Sequence, residues 1–475
     1  MAEMEPLWTS SDLRTVLGVA PDGGDEPRIT GISIDTRTLQ KGDLFVALRD
    51  QRDGHDFVSA AFKAGAGAAL VSRSYSRQIG DGILFRIADP LDGLVALGRA
   101  ARERLSPEAR VVAVTGSVGK TGTKEILRAC LSRLGKTHAS EKSYNNHWGV
   151  PLTLARMPAD TQFAVFEIGM NHAGEIRPLT HMVRPHAAIV TTVEAVHLEY
   201  FPSVAAIADA KGEIFEGLPA DGAAIIKYDN PYAERLIAIA RAAGARPVTF
   251  GFDANADVRG SSFQEFDEGT DMTVEAGGKT YSIHLALPGR HIAENALAVA
   301  AALDAIGANV GAALAALADL IPLNGRGARN VLFVEGGEAL LIDESYNANP
   351  ASMKAALATL GAVPRQKYRR RIAVLGDMLE LGREAAALHL GLKSAVDSAE
   401  VDLIFACGPH MKGLYDALPD NKKGGYSLTS QPLEDDVARH LRAGDAVMVK
   451  ASNGTRLGRV VEALKTRFKK DGAAA

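Results

Sequence analysis

Apolar residues in this chain gather in short unbroken runs. "VVAVT" (111–115), "FAVFEI" (163–168), "AAIVTTV" (187–193) and "AAIIKYD" (223–229) are separated by stretches with helical periodicity. A strand that is apolar at every position is buried on both faces, so this series predicts a parallel sheet covered by helices. A second series follows Val331: "ALLID", "RIAVLGD", "DLIFACG" and "DAVMVKAS", which predicts a second doubly wound, Rossmann-like domain. Before residue 108 the runs Ile29–Ile34, Leu44–Leu48, Ala68–Val71 and Ile83–Ile87 alternate with helical segments, as in a small α/β binding module. Residues 257–288 switch to short alternating segments with glycine turns and predict a small β subregion. The alanine-rich stretch Ala293–Ile321 predicts two packed helices, and Pro322–Gly327 a hinge. "RERLSPEAR" (102–110) is charged, contains a proline and reads as a linker. The expected organisation is therefore α/β throughout, with domains at 1–108, 109–327 and 328–475 and a loose tail "KKDGAAA".

Length agrees with that division, since 475 residues make about three domains at roughly 150 residues each. A net charge of −4 gives no electrostatic reason to expect nucleic acid or an anionic membrane as partner. Cys130 and Cys407 are the two cysteines, too few for a disulfide framework or a cysteine-rich zinc site, which suits a reducing compartment. The opening "MAEMEPLWTS" places Glu3 and Glu5 where a secretory leader would carry positive charge. Asp304, Asn309 and Asp319 interrupt the alanine-rich stretch, so membrane insertion is not expected. A cytoplasmic monomer is the expectation.

The candidate chemistry begins at "VVAVTGSVGKTGTKEIL", a buried strand running through a glycine-rich turn into a helix. Backbone N–H groups in such a turn, with a helix N-terminus behind them, cradle phosphate. In Gly116-Ser117-Val118-Gly119-Lys120-Thr121 the lysine can reach terminal phosphates and the threonine hydroxyl can ligate Mg²⁺. The first glycine lies only three residues before Gly119, a departure from the common phosphate-loop spacing. Glu167 closes a strand at the end that faces the ligand crevice of an open α/β sheet. A surface carboxylate is the competing reading. His197 follows another strand, where a structural histidine is the alternative; Lys211 in "ADAKGEIFEG" could equally be a solvated lysine.

Taken together, "VTGSVGKTGTKE", "SYNNHWGVPLT", "FEIGMNHAGEI", "TTVEAVHLEYF", "DAKGEIFEGL", "LPGRHIAENALAVAAA", "DESYNANPASM" and "VLGDMLELG" resemble the Mur ligases of peptidoglycan synthesis, in order and across nearly the whole chain. The resemblance implies an N-terminal UDP-binding domain, carried by "SIDTRTLQKGDLFVALRDQRDGHDF", a central phosphate-loop ATPase-like domain and a C-terminal Rossmann-like domain. It implies that ATP converts a carboxylate to an acyl phosphate, which an amine then displaces. "SYNANP" and "LGDMLELG" point within the family to the joining of D-alanyl-D-alanine to a UDP-N-acetylmuramoyl-tripeptide. A "DNPR"-like signature, expected where meso-diaminopimelate is added, is missing from the last domain. A folylpolyglutamate synthetase-like ligase would lack the first domain's motifs. A phosphate-loop switch or transport ATPase would leave Glu167, His197 and Lys211 unexplained as a set.

The resemblance also implies roles for residues. Thr121 and Glu167 would hold one Mg²⁺, and His197 a second, where an imidazole could also admit Mn²⁺. Lys211 would carry a CO₂-derived carbamate offering oxygen ligands to the metals; the alternative is a plain lysine paired with Glu213 or Glu216. Asn145 and Asn146 would contact the muramoyl substrate or acyl phosphate, Asn295 the adenine and Arg326 the γ-phosphate. Asp343 would orient the ribose, with Tyr346, Asn347 and Asn349 lining the nucleotide pocket. Asp35, Thr36 and Arg37 stand at the uridine contact, and His55 belongs to the same domain's pattern, with a structural role equally open. Two positions depart from the family: Gly122, where a threonine is common, and Ile292, where an asparagine is.

Overall fold

The computed structural model describes residues 5–470 apart from residues 25, 142, 197, 267 and 268. Its centre is a nine-stranded sheet whose apolar strands Arg110–Thr115, Phe163–Glu167, Ala187–Val190 and Ala223–Lys227 run parallel. Arg110–Thr115 lies between Phe163–Glu167 and Ala187–Val190, so the chain order of strands reverses at this point. Crevices at such switch points, beyond the carboxyl ends of the strands, are where open α/β sheets bind ligands.

The β segments of 257–288 form three strands that continue the central sheet. Val258–Phe266 pairs in parallel with Arg246–Gly251, and two antiparallel strands, Gly269–Ala276 and Lys279–Leu285, extend the same sheet to its edge. The alanine-rich segment folds as one long helix, Arg290–Ala305, a short helix Val310–Leu314 and a 3₁₀ turn Ala315–Asp319. Small side chains let the long helix lie close on the sheet, and its residues Ala293–Leu303 are nearly all buried.

Residues before the central sheet form four parallel strands, Gly31–Ser33, Asp43–Val46, Ala68–Ser72 and Leu84–Ile87, paired in chain order. The segment read as a linker is not loose. Helix Pro90–Glu103 runs into it; Arg102 donates to the carbonyls of Val183 and Arg184, and Arg104 to those of Leu7 and Met157. Trp8 Nε1 donates to Ala155 O at 2.8 Å, and one continuous apolar core runs from Trp8, Leu94 and Leu97 into Val150, Leu154 and Phe166. The first and central units are thereby packed as one body. Charge in that segment misled the linker reading: Arg102 bonds carbonyls of the central unit, and Arg104 ties Leu7 O of the first unit to Met157 O of the central one.

The last unit is a six-stranded sheet with cores of its own on its two faces. Five strands are parallel, and an antiparallel hairpin partner, Ala328–Val334, forms one edge.

Candidate active site

The phosphate loop follows strand Arg110–Thr115 at the switch point. Gly116 has φ 147° and Gly119 φ 87°, and helix Lys120–Ser132 begins with no side chain capping its free N–H groups. Those orphan donors, aligned with the helix dipole, leave a cradle for an anion. A side chain on Gly116 would collide with Thr191 Oγ1, which itself donates to the Val118 carbonyl. Ser117 N–H donates to Thr192 O at 2.9 Å, and Ser117 Oγ accepts from Glu194 N–H at 2.9 Å. The adjacent strand end therefore fixes the loop's shape.

Lys120 is half-buried and donates to Gly116 O at 2.6 Å. Burial pushes its pKa down, Glu167 opposes that, and Arg326 adds to the lowering. Thr121 Oγ1 donates to Glu167 Oε2 at 2.9 Å, and Asn145 Nδ2 donates to Glu167 Oε1 at 2.7 Å. Glu167 is 1% exposed, so the surface-carboxylate alternative does not apply. Threonine hydroxyl and carboxylate together make an oxygen donor set of the kind Mg²⁺ accepts, next to the phosphate cradle. Lys211 is 2% exposed and makes no hydrogen bond or ion pair among the described residues, where Glu213 and Glu216 are both engaged with the segment Gly174–Arg177. Burial, then the charge of Lys120, lowers its pKa well below 10.5. His197 lies outside the described residues.

Above the loop a cavity of about 490 Å³ is lined by Ser117–Thr121, Asn145, Glu167, Asn295, Arg326, Tyr346, Asn347 and Asn349. The central and last units both contribute to it. Asn295 Oδ1 lies 2.7 Å from where a Gly119 Cβ would be, so it borders the phosphate loop as well as the cavity. Arg326 sits 4.3 Å over the Tyr346 ring, and Tyr346 OH donates to Ser143 Oγ at 3.0 Å, across to the central unit. Asn349 caps helix Pro350–Gly361 through a reciprocal bond pair with Ser352. Asp343 is not among the residues lining the cavity: it is buried beneath it, accepting from Gly325 N at 2.9 Å and Ser345 Oγ at 2.7 Å. It shapes the turn that carries Tyr346.

A second cavity, about 860 Å³, lies between the first and central units and contains Asp35, Thr36 and Arg37. Arg37 pairs with Asp35 at 2.6 Å, and Arg49 and Arg52 line the cavity together with Asp50 and Asp89. His55 is not part of that lining; its Nε2 accepts from Ser72 N at 2.9 Å while Nδ1 faces Asp53 at 2.5 Å. Asn146 Oδ1 accepts from Gly149 N and starts helix Gly149–Ala155, and it lines neither cavity.

Comparison with known proteins agrees with this layout. Residues 28–102 match the description "Mur ligase family, catalytic domain", 114–303 "Mur ligase middle domain" and 331–453 "Mur ligase, glutamate ligase domain". The chain is 40% identical over 84% of its length to a UDP-N-acetylmuramoyl-tripeptide–D-alanyl-D-alanine ligase of Escherichia coli, covering 86% of that protein. The chain belongs to the Mur ligase family. A Bacillus subtilis ligase of the same name is 33% identical over 92% of this chain and 93% of its own. Among solved structures, the Mur ligase MurF of Acinetobacter baumannii superposes with TM-score 0.82 at 27% identity, covering 97% of this chain and 99% of that one. A Thermotoga maritima MurF, solved in complex with ADP, shares the fold at TM-score 0.75 and 24% identity over 92% of this chain and 97% of its own.

Within this Mur ligase, several cavity residues had no signal in the motif reading. Lys450, 2% exposed, donates to Glu344 Oε2 at 3.2 Å and Asn347 O at 3.0 Å, tying the nucleotide-side turn to the neighbouring strand. Lys227 pairs with Glu294 at 2.8 Å, and His291 stands beside Glu344 and Lys450. Lys450 ends the apolar run "DAVMVK" at the carboxyl end of a strand, the one cue that could have marked it. Gly122 also acquires a reason: a Cβ there would stand 3.2 Å from Asn295 Nδ2, so a larger residue would displace that side chain.

Proposed function

We propose that the protein is an ATP-dependent ligase joining D-alanyl-D-alanine to the C-terminal carboxylate of UDP-N-acetylmuramoyl-tripeptide, giving the pentapeptide precursor. The observation that carries this reading is 40% identity over 84% of the chain to a relative bearing that name, with the phosphate loop, Glu167 and Lys211 as described above. The tripeptide carboxylate attacks the γ-phosphorus of ATP, ADP leaves, and an acyl phosphate forms. The dipeptide amine then attacks the acyl carbon, phosphate departs, and the amine proton is lost to solvent or a base. Lys120 and the loop N–H groups compensate charge on the transferring phosphoryl group. The second cavity, with Asp35, Thr36, Arg37, Arg49 and Arg52, anchors the UDP end, which holds the reacting carboxylate near the loop. Packing of the first unit on the central one makes that placement rigid.

Magnesium bound at Thr121 and Glu167, with a second ion at His197, would supply charge neutralisation for the polyphosphate, a task open to Mn²⁺ as well. Asn145 orients the Glu167 carboxylate for it. Lys211 is proposed to take up CO₂ as a carbamate. Burial favours its neutral, nucleophilic amine, and an unpaired ammonium would repel both metals and cluster with Lys120. Asn295, Arg326, Tyr346, Asn347 and Asn349 are assigned to the nucleotide, Asp343 to their support, and His55 and Asn146 to local structure. The protein is taken to act as a cytoplasmic monomer without nucleic acid.

The deciding experiment is product mass spectrometry with UDP-N-acetylmuramoyl-tripeptide, ATP and D-alanyl-D-alanine. ATP hydrolysis that needs neither co-substrate would overturn the ligase reading. Lys211→Ala is expected to be nearly inactive and partly restored by acetate or formate. Full activity of that variant in carbonate-free buffer excludes the carbamate role.

A further inference from the structure

Lys124 lines neither cavity, yet it is a fully buried ammonium, one turn after Thr121 on the same face of helix Lys120–Ser132. Taking a charge out of water is costly, and packing alone would be served by an apolar residue. The ammonium donates to Ser140 O at 2.7 Å and pairs with Glu125 Oε1 at 2.5 Å.

The Ser140 carbonyl is where this contact matters. Strand Thr137–Ala139 runs parallel to Phe163–Glu167 at the edge of the central sheet. Lys136 O accepts from Phe163 N at 3.0 Å, and Ser140 N donates to Val165 O at 3.1 Å. Bonds of a parallel ladder are evenly spaced, so in a continuing ladder Ser140 O would accept the Glu167 N–H. Here it does not. Lys124 takes the carbonyl, and Glu167 N–H donates instead to Ser140 Oγ at 3.2 Å. The ladder ends at Glu167, and the chain leaves the sheet there. Beyond the bend, Asn145 Nδ2 reaches Glu167 Oε1 at 2.7 Å, and Ser143 Oγ lies 3.4 Å from Thr121 Oγ1. Strand end, helix face and returning chain converge on one carboxylate. The helix contributes at two positions: Thr121 directly, and Lys124 through Ser140.

Resting on the divalent-cation site proposed at Thr121 and Glu167, we propose that Lys124 is a positioning residue for that site. By holding the Ser140 carbonyl away from the ladder, it leaves the Ser140 hydroxyl to fix Glu167 and so sets the carboxylate for the ion. Loss of a residue that orients a metal ligand without binding the metal typically weakens metal affinity about 10–100-fold.

The test reads metal binding without turnover. Mn²⁺ is titrated into protein saturated with ADP, and free Mn²⁺ is followed by electron paramagnetic resonance for wild type, Lys124→Met and Ser140→Ala. Lys124→Met keeps the length of the side chain and removes its charge. Ser140→Ala removes one oxygen and decides the question should Lys124→Met not fold. Each variant should raise the Mn²⁺ Kd about tenfold or more. ADP binding in metal-free buffer and UDP-tripeptide binding, both by calorimetry, should keep their wild-type values, a split that a merely structural role would not produce. Wild-type Mn²⁺ affinity in either variant, or an equal loss of all three affinities, overturns the assignment and leaves the ligase reading to product formation. Wild-type protein that binds no Mn²⁺ with ADP overturns the metal site itself, and this proposal with it.

Discussion

Lys120 and Gly116 show how much a single position carries in the phosphate loop. The lysine is half-buried, and its ammonium stays on the loop through Gly116 O at 2.6 Å. Replacing it with alanine removes the cation nearest the transferring phosphoryl group, a change worth about 10²–10³ in kcat. KM for the UDP-substrate should not move, because that substrate's cavity is elsewhere; steady-state kinetics read both constants. Gly116→Ala acts differently. At φ 147°, with Thr191 Oγ1 in the space a Cβ needs, the loop has to deform. Nucleotide titration should show lost affinity, and an unaltered binding curve would mean the loop tolerates a side chain.

Helix Pro90–Glu103 and its extension decide how two units become one. Arg104 lies 4.0 Å over the Trp8 ring while bonding the carbonyls of Leu7 and Met157 at 2.9 Å and 2.7 Å. Hydrogen bonds from charged groups contribute about 1.5–3 kcal/mol each. Arg104→Ala is therefore expected to lower stability by at least that much, read as the urea midpoint. Exposed Arg99, on the same helix, should change it by no more than ~0.5 kcal/mol as alanine. Equal effects from the two would show that the junction is not held by these bonds.

At the scale of the whole molecule, a fixed first junction confines closure to the second, near Leu320–Gly327. The last unit meets the central one through Tyr346–Ser143, Arg326 and the Gly382–Glu199 approach, without a shared core among the described residues. Such contacts are readily broken and remade, so nucleotide and UDP-substrate together should favour the closed arrangement. Small-angle scattering is expected to give a larger radius of gyration without ligands than with them; identical values would argue against motion at this joint. Acid stability is a second global property. His138, His186 and His389 all have pKa values pushed below the ordinary 6.5, chiefly by burial. The folded chain holds them neutral, so the unfolded chain binds protons first as pH falls below 6.5. Stability is complete above that value and is lost below it, by up to about 1.4 kcal/mol per histidine per pH unit until the folded value is reached. Urea unfolding at neutral and mildly acidic pH checks the sign.

Local chemistry made much of this legible in the sequence. Unbroken apolar runs gave the parallel strands, because burial on both faces leaves no polar position. Glycines with a following Lys-Thr marked the phosphate loop, because positive φ and free N–H groups need that composition. Lys211 was visible only through resemblance; its burial depends on packing that no local pattern encodes. Tertiary structure alone decided the rest. It turned the charged linker of Arg102 and Arg104 into a welded junction, joined the strands of 258–285 to the central sheet, and set Asp343 beneath the nucleotide turn rather than beside it. Each of these outcomes rests on partners distant in the chain: the arginines' acceptors, the sheet's open edge and the Gly325 amide. A side chain's type states which bonds it can make, and only the folded chain determines which partner is within reach.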